Sequence, residues 1–194
     1  MNNLEILTVN SGREMAELFA KIELFETYME CFALPPYEEQ FTAAEVEQLF
    51  AQYADKGMII LCLDTELYRC AGFVASVPLE EDPEVAQIAR NHGLNTADFW
   101  FLEEVGVGKA YRHKQIFSSM EQELRRRIPV QGVLSRTKTI NTASLKAHKK
   151  LGYRIVQGMT QVVKYQHLSG EQRQDERVFM RYWPKQALKK QTRQ

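Results

Sequence analysis

A basic turn, Arg112-His113-Lys114-Gln115-Ile116-Phe117, opens a helical pattern directly behind an apolar run, Phe99 to Val107. The first amides of a helix have no intrahelical partner and the helix dipole favours negative charge there, so strand, basic turn and helix in this order make an anion site. Inside the apolar run Glu103 and Glu104 are adjacent, and strand alternation sends adjacent side chains to opposite faces. Only one of the two carboxylates is therefore expected on any given side. Glu104 shares the parity of Gly106, and Glu103 that of Val105 and Val107. If the valines face a helix-covered core, Glu104 lies on the other face; if they do not, the roles reverse. Further on, His148 sits in a Lys-rich helical segment. Its imidazole can donate a proton near neutrality, hydrogen-bond a thiol, or simply be a surface group.

Other chemistries lack their residues. Gly106-Val107-Gly108-Lys109 has neither the spacing nor the following Ser or Thr of a nucleotide P-loop, since Ala110 comes next. A glycine inside a strand points instead to a bulge or a close backbone approach. His92, His113 and His167 form no metal-ligand spacing with Asp, Glu or Cys, so no metal is expected. No Ser or Cys comes with a paired base, which argues against a covalent enzyme intermediate.

The elements that must position these groups can be read from periodicity. Leu4 to Val9 reads as a strand, and Ser11-Gly12-Arg13-Glu14 has the form of a capping box. Apolar residues recur at helical spacing from Met15 to Phe32, until Pro35-Pro36 forbids continuation. A second box, Thr42 to Glu45, opens another helix that stops at Lys56-Gly57, so two helices are expected after the first strand. Met58 to Leu63 and Tyr68 to Val77 should pair as a hairpin, and Pro83 to Asn91 forms a short helix inside a polar insertion. Phe99 to Val107, His113 to Arg127 and Val130 to Arg136 make a βαβ unit. The helix Thr142 to Leu151 follows, then a hairpin of Tyr153 to Tyr165 and Arg177 to Trp183 around Ser169-Gly170. The expected organisation is one domain over residues 1–184 and a basic polar tail over 185–194.

Composition sets outer limits. The chain has 194 residues, 44% of them hydrophobic, which suits one ordinary globular core. Its 25 basic and 25 acidic residues cancel, leaving no global field for nucleic acid or an anionic membrane. No run approaches the ~18 apolar residues of a membrane span, and no signal peptide is visible. Cys31, Cys62 and Cys70 read as free thiols, and the whole fits a cytoplasmic protein.

The segments Phe101 to Phe117 and Arg136 to Tyr153 together resemble the acyl-CoA-binding half of the GCN5-related N-acetyltransferases, the GNAT superfamily. In the turn, Tyr111, Arg112 and Ile116 match the family pattern and Lys114 adds charge, whereas Gln115 and Phe117 stand where the family has two small residues. Asn141, Ala143 and the ending Leu151-Gly152-Tyr153 match the second motif, with His148 at the position of a Tyr that often protonates the departing thiolate.

The resemblance implies an α/β (α+β) fold: a mixed, mostly antiparallel central sheet of six to seven strands with helices on both faces, in the order β-α-α-β-β-β-α-β-α-β-β. It implies acetyl-CoA as co-substrate, held at Arg112, His113, Lys114, Gln115, Ile116 and Phe117, with Asn141 and Ser144 beside the pantetheine. A strand amide near Val105 or Val107 is expected to hold the oxyanion. Glu103 or Glu104 is expected to act as base on a small-molecule or peptide amine, and His148 to assist thiolate departure. A homodimer is compatible with this reading. Two alternatives stay open: a binding or regulatory module of the same fold with a weakened CoA site, or an enzyme that uses a longer acyl-CoA.

Overall fold

The computed structural model describes residues 3–130 and 132–184. Strands β1 (Leu4–Val9), β2 (Met58–Asp64), β3 (Arg69–Pro78), β4 (Phe99–Val107), β5 (Gly132–Lys138), β6 (Arg154–Gln166) and β7 (Gln172–Tyr182) form one sheet in the order β1-β2-β3-β4-β5-β7-β6. Every neighbouring pair is antiparallel except β4 and β5, which run parallel. The helices are α1 (Gly12–Phe19), α2 (Leu24–Phe32), α3 (Ala43–Lys56), α4 (Pro83–Asn91), α5 (Ile116–Arg127) and α6 (Thr142–Lys150). The basic stretch 185–194 lies outside the described residues.

Both faces of the sheet are covered, and alternation explains how. On β2 and β3, Ile59, Leu61, Phe73 and Ala75 point towards α1, α2 and α3, while Ile60, Cys62 and Val74 point towards α5. Phe73 is fully buried at the centre of the first face, with the rings of Tyr28 and Phe50 5.8 and 5.3 Å away. Aromatic pairs of this kind add roughly 0.5–1.5 kcal/mol each beyond the area they bury. At the other end of the same face α4 packs over Phe101, Leu134 and Phe179.

Three helices, not two, follow β1. The apolar spacing that predicts one helix from Met15 to Phe32 is real, but the helix breaks between Phe19 and Leu24, with Glu23 in the left-handed region at φ 49°. The Ile22 carbonyl accepts a hydrogen bond from Cys70 N at 2.7 Å, so this backbone bonds the start of β3 instead of continuing its own ladder. Both N-caps form where the sequence places them. Ser11 Oγ accepts from Glu14 N, and Thr42 and Glu45 form the full reciprocal box. β7 starts at Gln172, five residues before its apolar portion, because its polar half is the exposed arm of the hairpin with β6. Likewise α5 starts at Ile116, with His113 to Gln115 in the turn before it.

Gly106 is explained by close approach. A Cβ there would lie 2.3 Å from Phe73 Cζ and 2.9 Å from Cys31 Sγ. The bulge in β4 is three residues earlier, where Ala75 faces Glu104 and Ser76 faces Leu102, leaving Glu103 as the extra residue. Cys31, Cys62 and Cys70 are all free thiols. Among the described residues no helix is long and apolar enough to cross a membrane.

Candidate active site

The two parallel strands stay together for only four residues each. Phe99 to Leu102 pair with Gly132 to Ser135, and beyond that point β4 and β5 diverge. β4 runs on for five residues to Val107, paired only with β3, so its backbone groups directed towards β5 have no strand partner there. Val105 and Val107 are half-buried on the side of α5. The result is a slot through the middle of the sheet whose β4 wall has peptide groups without a strand partner, the Val107 carbonyl accepting instead from Arg112 Nε at 3.3 Å.

At one end of the slot lies the basic turn. Tyr111 anchors it, donating from Oη to Asp64 Oδ2 at 2.8 Å, while Lys109 N donates to Glu30 Oε2 at 2.9 Å. Arg112, His113, Lys114 and Gln115 are exposed, Ile116 is buried in the core, and Phe117 is half-buried. His113 and Gln115 both adopt left-handed backbone, φ 66° and 61°, and Gln115 N-caps α5 without a side-chain bond. The amides from His113 to Ser118 make no hydrogen bond with another described group, so they form an open nest for an anion, as required of a pyrophosphate cradle. Gln115 is where the turn most wants a glycine: left-handed backbone costs an ordinary L-residue roughly 1–2 kcal/mol. The Phe117 side chain turns away from solvent and meets the His148 ring, centroids 5.0 Å apart, so it bridges α5 to α6.

The bulge changes the reading of the two glutamates. Simple alternation puts them on opposite faces, but the extra residue resets the phase, and both carboxylates emerge on the face of α3. Glu103 lies beside Arg136, which stacks over Phe101 on that face, and both carboxylates raise the pKa of Tyr53 on α3. Burial dominates their titration. Desolvation lifts Glu103 from 4.5 to about 7 against the pull of Arg136, and Glu104 to about 8 against the pull of Arg177, with Glu103 and Glu39 pushing Glu104 further up. Val105 and Val107 point the opposite way, towards α5.

His148 is buried, at 3% exposure, between Phe117 and Tyr153. Its Nδ1 lies 2.9 Å from the Ser144 carbonyl oxygen, which can only accept, so Nδ1 carries the hydrogen. Nε2 is then the acceptor for the Ser135 hydroxyl at 3.0 Å. Burial lowers its pKa to about 4, so the ring is neutral at pH 7. A neutral imidazole with both nitrogens engaged is a weaker proton donor than a free or charged one, and its Nε2 faces Ser135. Asn141 holds the start of α6, its Oδ1 accepting from Ser144 N at 3.0 Å.

The Acetyltransferase (GNAT) family model matches residues 22–153, which include the slot, the turn and both glutamates. The chain belongs to the GNAT acetyltransferase family. A search of curated proteins by sequence finds no match. Solved structures with the GNAT fold align over almost the whole chain. The ribosomal-protein-S18-alanine N-acetyltransferase of Escherichia coli is 14% identical, with a TM-score of 0.58 and 93% of each chain covered. NAA60 of Arabidopsis thaliana in complex with a bisubstrate analogue is 15% identical, TM-score 0.61, covering 93% of this chain and 98% of that one. A GNAT superfamily phosphinothricin acetyltransferase of Sinorhizobium meliloti in complex with AcCoA is 14% identical, TM-score 0.60, covering 94% and 89%. At such identities the likeness concerns the fold, and the seven-stranded, mostly antiparallel sheet with helices on both faces is the GNAT architecture.

In this GNAT member the glutamate face of the slot also carries groups that motif reading misses. Ser135 and Arg136 lie in β5, just before and at the start of the segment Arg136 to Tyr153, and strand parity separates them, Arg136 to the glutamate face and Ser135 to the His148 face. Glu39, Lys138, Asp175 and Arg177 form an ion-pair network around Tyr37, with Arg177 Nη2 donating to Glu39 at 2.6 Å and Lys138 Nζ lying 2.6 Å from Asp175 Oδ2. Above it the segment after α2 is tied to the β6–β7 hairpin. Gln40 N donates to Gln166 O at 2.8 Å and Leu168 N to Glu38 O at 3.0 Å. No local signal in the sequence links Glu39 to residues some 100 or more positions away; only the folded sheet does.

Proposed function

We propose that this protein is an N-acetyltransferase that moves an acetyl group from acetyl-CoA directly to a primary amine. The observation that carries this reading is the slot, with free strand backbone on one wall, an open nest of amides at one end and two desolvated carboxylates on the acceptor face. The nest at Arg112 to Phe117 takes the pyrophosphate, and Asn141 and Ser144 flank the pantetheine arm. A backbone N–H near Val105 or Val107 polarises the thioester carbonyl and holds the oxyanion.

Glu104, with Glu103 beside it, takes a proton from the incoming ammonium. A carboxylate titrating near 8 is a much stronger base than an ordinary one at 4.5, and it acts through its ionised fraction, which grows as pH rises towards 8. The free amine attacks, the nitrogen–carbon bond forms, and the carbon–sulfur bond breaks. The second amine proton ends on the departing thiolate. Ser135, held by His148, offers its hydroxyl oxygen to the sulfur end of the slot. Release of CoA thiol on mixing the chain with acetyl-CoA and a panel of primary amines tests the reading; no release with any amine would contradict it.

One observation favours a second reading, a binding module that has lost tight CoA affinity. Phe117 and Gln115 stand where small residues are wanted, and the Phe117 ring already touches His148 across the path between α5 and α6. Binding of acetyl-CoA separates the two readings, because only the first requires it.

A further inference from the structure

The ion pairs on the acceptor face are of two kinds. Arg177 and Lys138 are closed: their charged nitrogens meet Glu39, Asp175 and the Tyr37 carbonyl at 2.6 to 3.2 Å. Arg136 is open. Its side chain is 18% exposed, yet of its five donors only Nη1 is used, on Gln161 Oε1 at 2.5 Å. Nε is buried without a partner. Nη2 stands 3.8 Å from Glu103, too far for a hydrogen bond, and the Glu103 carboxylate accepts none from any described group. The ring of Phe101, 5.2 Å from the guanidinium carbon, fixes its plane.

Buried charges are normally saturated with hydrogen bonds, so a cation and an anion held side by side with free valences call for a ligand that fills both. The enclosed part of the cleft they line is about 30 Å³, room beside the glutamates for an ammonium end, and the cleft opens to solvent along a lining that includes Arg136, 18% exposed. A bulky acceptor is therefore met at its amine end only, where Arg136 is also within reach. A polyamine or a peptide N-terminus offers the glutamates an ammonium but offers Arg136 nothing. An α-amino acid carries an ammonium and a carboxylate one carbon apart, the same spacing of opposite charges.

We propose that the acceptor is a free amino acid, whose amine meets Glu103 and Glu104 while its carboxylate takes the unused donors of Arg136. This rests on the acetyltransferase reading and names its substrate class; Arg136 is then a specificity residue. The planar fork of arginine suits a carboxylate in a way the point charge of lysine does not. The transfer is unchanged: the amino nitrogen gains the acetyl group, CoA leaves as the thiol, and one proton is released through the glutamates.

The test compares each free amino acid with its decarboxylated amine, alongside spermidine and a short peptide, by CoA thiol release. At least one amino acid should exceed its carboxylate-free partner about a hundredfold in kcat/KM. Arg136→Gln should shrink that ratio tenfold or more, with Arg136→Lys recovering part of it, while acetyl-CoA affinity, read by calorimetry, reports that each variant is folded. Preference for spermidine, the peptide or the carboxylate-free amines would overturn the proposal and leave the acetyltransferase reading standing. So would an unchanged ratio in Arg136→Gln. Failure of the wild-type chain to bind acetyl-CoA would overturn both.

Discussion

Replacing Glu104 by glutamine removes a carboxylate whose pKa burial holds at about 8, and the consequence can be worked out for stability as well as for turnover. In the folded chain this group keeps its proton up to about pH 8, whereas in the unfolded chain it loses it near 4.5. Between those values the folded state binds more protons, so stability falls as pH rises through the window. Glu103 contributes with the same sign but is already half-titrated at about pH 7, so most of the change from pH 7 to 8.5 belongs to Glu104. Each pH unit there is worth at most ~1.4 kcal/mol. The cleft admits some solvent, which brings the expected loss to about 1 kcal/mol, or ~2–4 °C in Tm for a chain of this size. Wild type should lose that much between pH 7 and 8.5, and Glu104→Gln should lose only the smaller share that Glu103 supplies, at most about 0.4 kcal/mol. Turnover moves oppositely: wild-type kcat/KM should rise with pH as the base ionises, and the variant should lose about a hundredfold together with that rise. Melting curves and CoA release at matched pH read both. If the variant's Tm falls over this interval as steeply as the wild type's, the glutamate does not titrate there and the burial argument is wrong.

Three further outcomes are expected. Gln115→Gly should raise stability by roughly 1 kcal/mol, seen as a higher Tm, because glycine adopts the left-handed backbone at φ 61° without strain. Phe117→Ala should lower the Tm of the free protein yet tighten acetyl-CoA binding several-fold by calorimetry, since it removes the ring that bridges α5 to α6. His148 is held neutral, with its folded pKa near 4 below the ordinary 6.5, so its contribution is lost as pH falls through that range; His148→Gln should flatten this acid limb in Tm measurements.

The frame of the fold was legible because periodicity and punctuation agree along most of the chain. Ser11 and Thr42 cap helices, Pro83 opens one, and the strand over Phe99 to Val107 has the expected bounds. The break at Ala20 to Glu23 was not legible, since it is imposed by the bond from Cys70 N to Ile22 O, a tertiary contact laid over an unbroken apolar period. The bulge at Glu103 was hidden for a similar reason. It is defined by the register with Ala75 and Ser76, and without that register two adjacent glutamates cannot be put on one face. The turn at Arg112 to Phe117 and the helix led by Asn141 could be picked out because their residues carry local chemistry. Arg136 could not, because what distinguishes it from Arg177 is the set of partners it lacks.

Calorimetric titration of the full chain with acetyl-CoA tests most directly whether the slot between β4 and β5 holds acetyl-CoA. Saturable one-to-one binding is expected, weakened when Arg112 and Lys114 are both changed to alanine, with a gain of about 2.7 kcal/mol in stability at a hundredfold excess over Kd. No heat and no gain in stability would contradict it, and the open nest at the start of α5 would then belong to a different anion.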